Sequence, residues 1–222
     1  MPAPSLVDRV LDAYGAEPWA RAGRFMAIFS LGGLALASHL RPQAVRCRTA
    51  FIATDGSPGV RFDGEPSEPA EPAEPGGGGL GRWDDREVLA FAGASLWSWV
   101  GLPFALGHPD VETRELPLGH AEGAAEGWAR LEVRLPPSWP AGGARHLLDV
   151  DPQGRIRRHE ERLSVLGGSR AVRHELSGHC EFGGALVATH RATALPRPRI
   201  PVLWGDIVAA HLLPRVPTKP LN

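Results

Sequence analysis

The stretch Trp83-Asp-Asp-Arg-Glu-Val-Leu-Ala-Phe-Ala-Gly-Ala-Ser-Leu-Trp-Ser-Trp-Val-Gly-Leu-Pro-Phe-Ala-Leu106 decides the fold. It opens with acids and runs uncharged from Val88 to Leu106. Asp84 or Asp85 is placed to cap a helix, and Glu87 sits in the first turn, where a carboxylate suits the free N–H groups and the dipole. Val88, Phe91, Ala92 and Ser95 form one row at helical spacing. Leu89, Ala92, Leu96 and Trp99 form another, so the helix is expected to be covered on more than one side. Gly101 and Pro103 are read as its stop. The uncharged run barely reaches the length of a membrane span and holds two Gly, two Ser and a Pro. A buried helix in a soluble fold is therefore expected, with no transmembrane segment.

Outward from this helix the chain reads mostly as strands and turns. Its 222 residues are 43% hydrophobic, enough for one domain with a real core. A net charge of −1 supplies no basic field for nucleic acid. Every basic residue except Lys219 is arginine, which fits a GC-rich coding bias given the many Ala, Gly and Pro. Cys47 and Cys180 are two lone cysteines, read as reduced and buried although pairing is open.

Upstream, Ser5 with Asp8 resembles a capping box ahead of Leu6, Val7, Val10, Leu11 and Tyr14, and Gly15 is the stop. Arg21 and Arg24 precede an apolar run, Phe25 to Leu36, that invites a signal-peptide reading. The run begins late and contains Ser30, Gly32 and Gly33, so a buried strand bending at the Gly pair is expected, in a cytoplasmic protein. Val45 to Ala53 reads as a strand with Val45, Cys47, Thr49 and Phe51 on one face. The Glu-Pro repeat and glycines of about 64–81 cannot bury enough apolar surface to order themselves, and are read as a disordered loop within one domain.

Downstream, Pro109 to Leu118 is a loop or edge strand, and Arg130 to Leu135 alternates as a half-buried strand. Asp151-Pro152-Gln153-Gly154 suits a type I turn with Gly in the left-handed position. That register pairs Val150 with Ile156, Leu148 with Arg158 and His146 with Glu160. The opposite parity of Leu163 and Val165 calls for a bulge near Glu160. Gly167-Gly168 turns into a strand with Val172, His174, Leu176, Cys180 and Phe182 on its apolar face. After Gly183-Gly184, the next strand is read with Leu186, Ala188, His190, Ala192 and Ala194 inward. A last strand from Val202 to Leu213 completes an antiparallel meander.

Motifs for chemistry are sparse. Gly76, Gly78 and Gly81 fit G-x-G-x-x-G without the strand and helix that motif needs. His174-Glu175 with His179 is one residue too long for H-E-x-x-H, so no metal and no cofactor are expected. What remains is a set of polar residues at inward positions. His159 with Glu161, or His146 with Glu160, are the candidate acid–base pairs, since a neutral imidazole beside a carboxylate can move a proton near neutral pH. Trp97, Trp99, Phe104, His174 and His190 are the candidate ligand contacts, because Trp97 and Trp99 cannot share one side of a helix and pockets are mainly apolar with a few polar groups.

This layout of a short amphipathic helix, Gly-bent strands, a buried helix and a C-terminal meander resembles the open half-barrel of the LolA/LppX/VioE type. More locally, Trp83-Asp84 through Pro103-Phe104, Asp151-x-x-Gly154 through His159, and Gly167-Gly168 resemble an uncharacterised bacterial family of about this length. That family is expected to carry His-Asp-Tyr where this chain has His159-Glu160-Glu161. The resemblance implies an α+β, mainly antiparallel fold: a curved sheet or open half-barrel with a buried helix in its concave face. It also implies binding of a lipid or flat hydrophobic molecule there. The expected function is thus a cytoplasmic binder of a hydrophobic or aromatic small molecule. The alternatives are a specialised-metabolism enzyme using His/Glu acid–base chemistry on such a molecule, or an interaction protein using the acidic Pro-rich loop. Ligand identity and oligomeric state are not read from the sequence.

Overall fold

A computed structural model describes residues 4–43, 45–55, 59–64, 82–117, 125–140, 145–163 and 170–215. The loop at about 64–81 lies outside the described residues except for Gly64, and so do the glycines at 76, 78, 81, 167 and 168 and the tail from Val216.

The strands are β1 (Ala22–Gly32), β2 (Val45–Ala53), β3 (Val60–Phe62), β4 (Glu112–Leu116), β5 (Ala129–Arg134), β6 (Arg145–Val150), β7 (Ile156–Leu163), β8 (Arg170–Phe182), β9 (Ala185–Pro196) and β10 (Arg199–Pro214). They form one ten-stranded sheet in the order β3-β2-β1-β10-β9-β8-β7-β6-β5-β4. Every neighbouring pair is antiparallel. β3 and β4 are its two ends and do not meet. The fold is therefore an open half-barrel. The run read as a Gly-bent strand is β1 as far as Gly32, flanked by β2 and β10, but its end is not strand: Leu34–Ala37 is a short helix.

The helices are α1 (Leu6–Tyr14), α2 (Ala16–Arg21), α3 (Leu34–Ala37), α4 (Asp85–Leu96) and α5 (Leu102–Ala105). Both sequence caps form. The Ser5 side chain accepts from Asp8 N–H, and Asp84 accepts from Glu87 N–H, each with the reciprocal bond of a capping box. Gly15 ends α1 at φ 71°, a left-handed conformation suited to glycine. At the edge, Glu115 of β4 accepts from Leu6 N–H at 2.9 Å, so a strand carboxylate fixes the start of α1.

α4 does not stop at Gly101. Trp97–Gly101 form a π-helical turn that leads directly into α5. Leu102 N–H bonds to Trp97 O, one residue further back than in an α-helix. Pro103 has no N–H to give, and the widened turn lets the rod continue past it. The rod from Asp85 to Ala105 is long and apolar enough to cross a membrane, but it is mostly buried inside the fold. Gly93 faces Val60 and Phe62, and Trp99 lies against Gly205 and Leu31, which seats the rod in the trough of the sheet.

Three strand readings are corrected. In β2, Cys47 sits at φ 47° and takes a bond from its N–H to Ser30 Oγ. Parity slips there, so Ala50 and Ile52 point inward while Cys47 is exposed. Cys180 is exposed and free as well. Between β6 and β7 the bulge falls at Arg157, not near Glu160: Val150 pairs Ile156, but Asp149 pairs Arg158 and Leu148 pairs His159. In β9 Ala188 is buried as read, but beyond it the inward residues are Arg191 and Thr193, and His190 and Ala192 are exposed.

Candidate functional site

Five charged or titratable side chains converge under the rod on the concave side. His146 comes from β6, His159 and Glu161 from β7, His174 from β8 and Arg191 from β9. All are 4% exposed or less. The ladder explains the meeting: His159 pairs His174, and His174 pairs Thr193. Three imidazoles consequently lie in a row, with centroids 5.1 and 5.0 Å apart.

The contacts are short and directional. His146 Nδ1 lies 2.9 Å from His159 Nε2 and 3.6 Å from Glu161 Oε2. His174 Nε2 lies 2.8 Å from Glu161 Oε1, and its Nδ1 lies 2.7 Å from Thr193 Oγ1. The tautomer that satisfies both bonds has Nε2–H donating to the carboxylate and Nδ1 accepting from the hydroxyl. Arg191 lies along the His174 ring, with Nε 3.1 Å from Nδ1 and Nη2 2.9 Å from Nε2. The same Nη2 donates to Glu161 Oε1 at 3.2 Å. Arg191 Nη1 reaches up to the rod, donating to Ser95 O at 2.6 Å and to Ser98 Oγ at 3.3 Å.

Burial and charge set the protonation states. Desolvation pushes His159 well below the ordinary imidazole value, against the pull of Glu161. Desolvation, helped by Arg191, lowers His174 to about 4. Burial opposes ionisation of Glu161, but His159, the bond from His174 and the Arg191 charge together hold its carboxyl well below the usual carboxylate range. Desolvation lowers Arg191 to about 10, which leaves it charged at neutral pH. The site at pH 7 thus holds a buried Arg–Glu ion pair beside uncharged His159 and His174.

The remaining candidates fall elsewhere. Glu160 is on the outer face, in a salt bridge to Arg173 at 2.9 Å, and does not meet His146. His190 is also outside, 2.6 Å from Asp206, with both side chains exposed. Trp97 and Trp99 are both buried; Trp97 packs edge-on against Trp139. Trp99 Nε1 has no hydrogen-bond partner among the described residues. Phe104 stacks on Trp19 with centroids 3.8 Å apart. A groove of about 400 Å³ opens on the outer face, lined by Trp128, Arg158, Glu175, His190, Trp204 and Asp206 among others.

Arg191, Thr193 and Ser98 are absent from the sequence candidates. A signal for the first two existed. The tight Gly183-Gly184 turn pairs Phe182 with Ala185, and counting back along that ladder sets Leu176 opposite Arg191 and His174 opposite Thr193.

No protein-family model matches the chain, and no curated protein does either. Among solved structures, it is similar to the crystal structure of a LolA superfamily protein from Nitrosomonas europaea, with a TM-score of 0.49 and 12% identity. The likeness covers 97% of this chain and 96% of that one. It concerns the fold alone.

Proposed function

We propose that this protein is a cytoplasmic binder of an apolar or aromatic small molecule, held in the half-barrel against the rod. The observation that carries the reading is the indole N–H of Trp99, buried at 3% exposure with no partner among the described residues. An unmade bond of this kind costs about 1–3 kcal/mol, which an acceptor on a ligand recovers. Trp99 packs on Gly205, and Gly205 is the β10 neighbour of Arg191. A ligand at Trp99 therefore meets aromatic walls and a small polar floor, the usual composition of a small-molecule site. The π-turn, where regular helical bonding is already interrupted, is the part of the rod that yields to admit it.

The test is a fluorescence titration of the purified protein with N-phenyl-1-naphthylamine, followed by displacement with fatty acids and flat aromatic acids. Saturable binding that quenches tryptophan emission and weakens in Trp99→Phe is the expected result. Non-saturable binding, or an affinity unchanged in Trp99→Phe, overturns the reading.

A second reading, proton transfer on such a molecule, is favoured by one arrangement: neutral His159 beside ionised Glu161. With a bound molecule in hand, His159→Gln separates the two. Retained affinity with lost turnover supports the enzyme, and a molecule recovered unchanged from the wild type supports the binder.

A further inference from the structure

We propose that His146 Nδ1, His159 Nε2 and Glu161 Oε2 form a binding site for a first-row divalent metal ion, with zinc the best fit. The three residues come from two neighbouring strands, and one ligand atom from each lies within 4.8 Å of the other two. Zinc binds nitrogen and carboxylate oxygen at roughly 2.0–2.2 Å. Around such an ion, ligand atoms stand about 3.3 Å apart in a tetrahedron and about 3 Å apart in an octahedral face. The two edges that meet at His146 Nδ1 are 2.9 and 3.6 Å, which bracket those values. One hydrogen on Nδ1 cannot serve both neighbours, whereas one ion can.

The surroundings have the form that metal sites use. Glu161 turns Oε1 to His174 and Arg191 and Oε2 to His146. His174 is itself held by Thr193. A ligating carboxylate fixed by outer partners is the usual second layer of such a centre. Two His and one carboxylate leave a further coordination position open, as in catalytic rather than structural zinc sites. Arg191 already balances Glu161, so the ion needs an anion in that position: hydroxide, or an acidic group on a bound molecule.

The sequence expectation of no metal came from motif spacing along one strand. This set is assembled across the ladder, and the Arg157 bulge brings His159 and Glu161 into phase with His146. The site does not rest on the small-molecule reading, since its test uses metal alone.

The experiment is titration of chelator-treated full-length protein with Co(II), read by visible d–d absorption, followed by displacement with Zn(II). One equivalent of Co(II) per chain with tetrahedral-type bands is expected. His174→Gln, which only positions Glu161, should weaken binding about 10- to 100-fold without removing the bands. His159→Gln and Glu161→Gln should abolish them. His190→Gln, on the outer face, should leave them unchanged. Absent bands in the wild type, bands retained in folded His159→Gln and Glu161→Gln, or bands lost in His190→Gln overturn the proposal. If the ligand variants do not fold, X-ray absorption of the zinc-loaded wild type decides. Scattering from two imidazoles supports the site, and an oxygen-only shell overturns it.

Discussion

Arg191 donates from Nη1 to the main-chain carbonyl of Ser95 at 2.6 Å, and so ties the middle of β9 to the last turn of α4. The other arm of the same guanidinium holds Glu161. One side chain therefore both anchors the rod and neutralises the only carboxylate in the buried set.

Truncating it leaves Glu161 buried without a counter-charge. Arg191→Met is expected to cost about 3–5 kcal/mol, as for other buried pairs broken from one side. For a chain of this size that lowers Tm by about 2–4 °C per kcal/mol. Arg191→Lys should recover part of the loss, because a single ammonium cannot serve both Ser95 and Glu161. The double variant Arg191→Met/Glu161→Gln should be more stable than the sum of the single losses implies. Urea denaturation midpoints of these three variants and of Glu161→Gln check the set; additive losses would sink the argument.

Two glycines make a contrasting pair. A Cβ on Gly205 would stand 2.8 Å from Trp99 Cζ3 and 2.9 Å from Leu31 Cδ2, both buried. Gly205→Ala should therefore destabilise by about 1–3 kcal/mol through overpacking and shift tryptophan emission. A Cβ on Gly93 would meet Val60 and Phe62 at 3.5 and 3.6 Å, ordinary contact distances. Gly93→Ala in the middle of α4 should stabilise by about 0.5–1 kcal/mol through helix propensity. Thermal melts in which both substitutions move Tm the same way would refute the packing argument.

These residues also mark what could be read from the chain beforehand. α1 and the start of α4 were legible because their signals are local: Ser5 with Asp8, Asp84 with Glu87, and Gly15 in the left-handed region. The β6–β7 turn was legible at Asp151–Gly154 for the same reason, with Gly154 at φ 80°. The half-site formed by His159 and Glu161 followed from parity within one strand. Arg191 did not, because hydrophobicity favours the alanines of β9 as its inner face. The partner that makes a buried arginine tolerable, Glu161, lies thirty residues earlier. The need for a bulge in β7 was legible from the parity mismatch, but its place at Arg157 was not, since an inserted residue leaves no local composition signal.

Tyr14 links α1 to the sheet, and its ring packs edge-on against Phe104 at the end of the rod. Its hydroxyl accepts from Ile156 N–H at 3.2 Å and lies 3.3 Å from His179 Nε2. Burial raises its pKa well above the ordinary tyrosine value, so it stays neutral in the folded protein. Tyr14→Phe leaves the Ile156 N–H without its acceptor and should cost about 1–3 kcal/mol, measured by urea denaturation. An unchanged midpoint would mean that water replaces the hydroxyl there.

His179 gives the stability a pH dependence with a defined sign. Desolvation, then the charges of Arg157 and Arg155, lower its pKa to about 4, with Asp151 pulling the other way. The unfolded value is about 6.5. Between these values the unfolded chain takes up a proton that the folded chain refuses, so unfolding becomes easier as pH falls. The contribution of His179 is fully present above pH 6.5 and is lost progressively on the way down to pH 4. His174 and His159 shift in the same direction and add to the slope. Glu161 acts only at lower pH, because its folded value lies below that of a free carboxylate. Melting of the wild type in EDTA-containing buffer should therefore show Tm falling from pH 7 to pH 4. His179→Gln should flatten part of that fall and leave the remainder to the buried pair. A pH profile for His179→Gln that runs parallel to the wild type would show that this imidazole is solvated and free to charge.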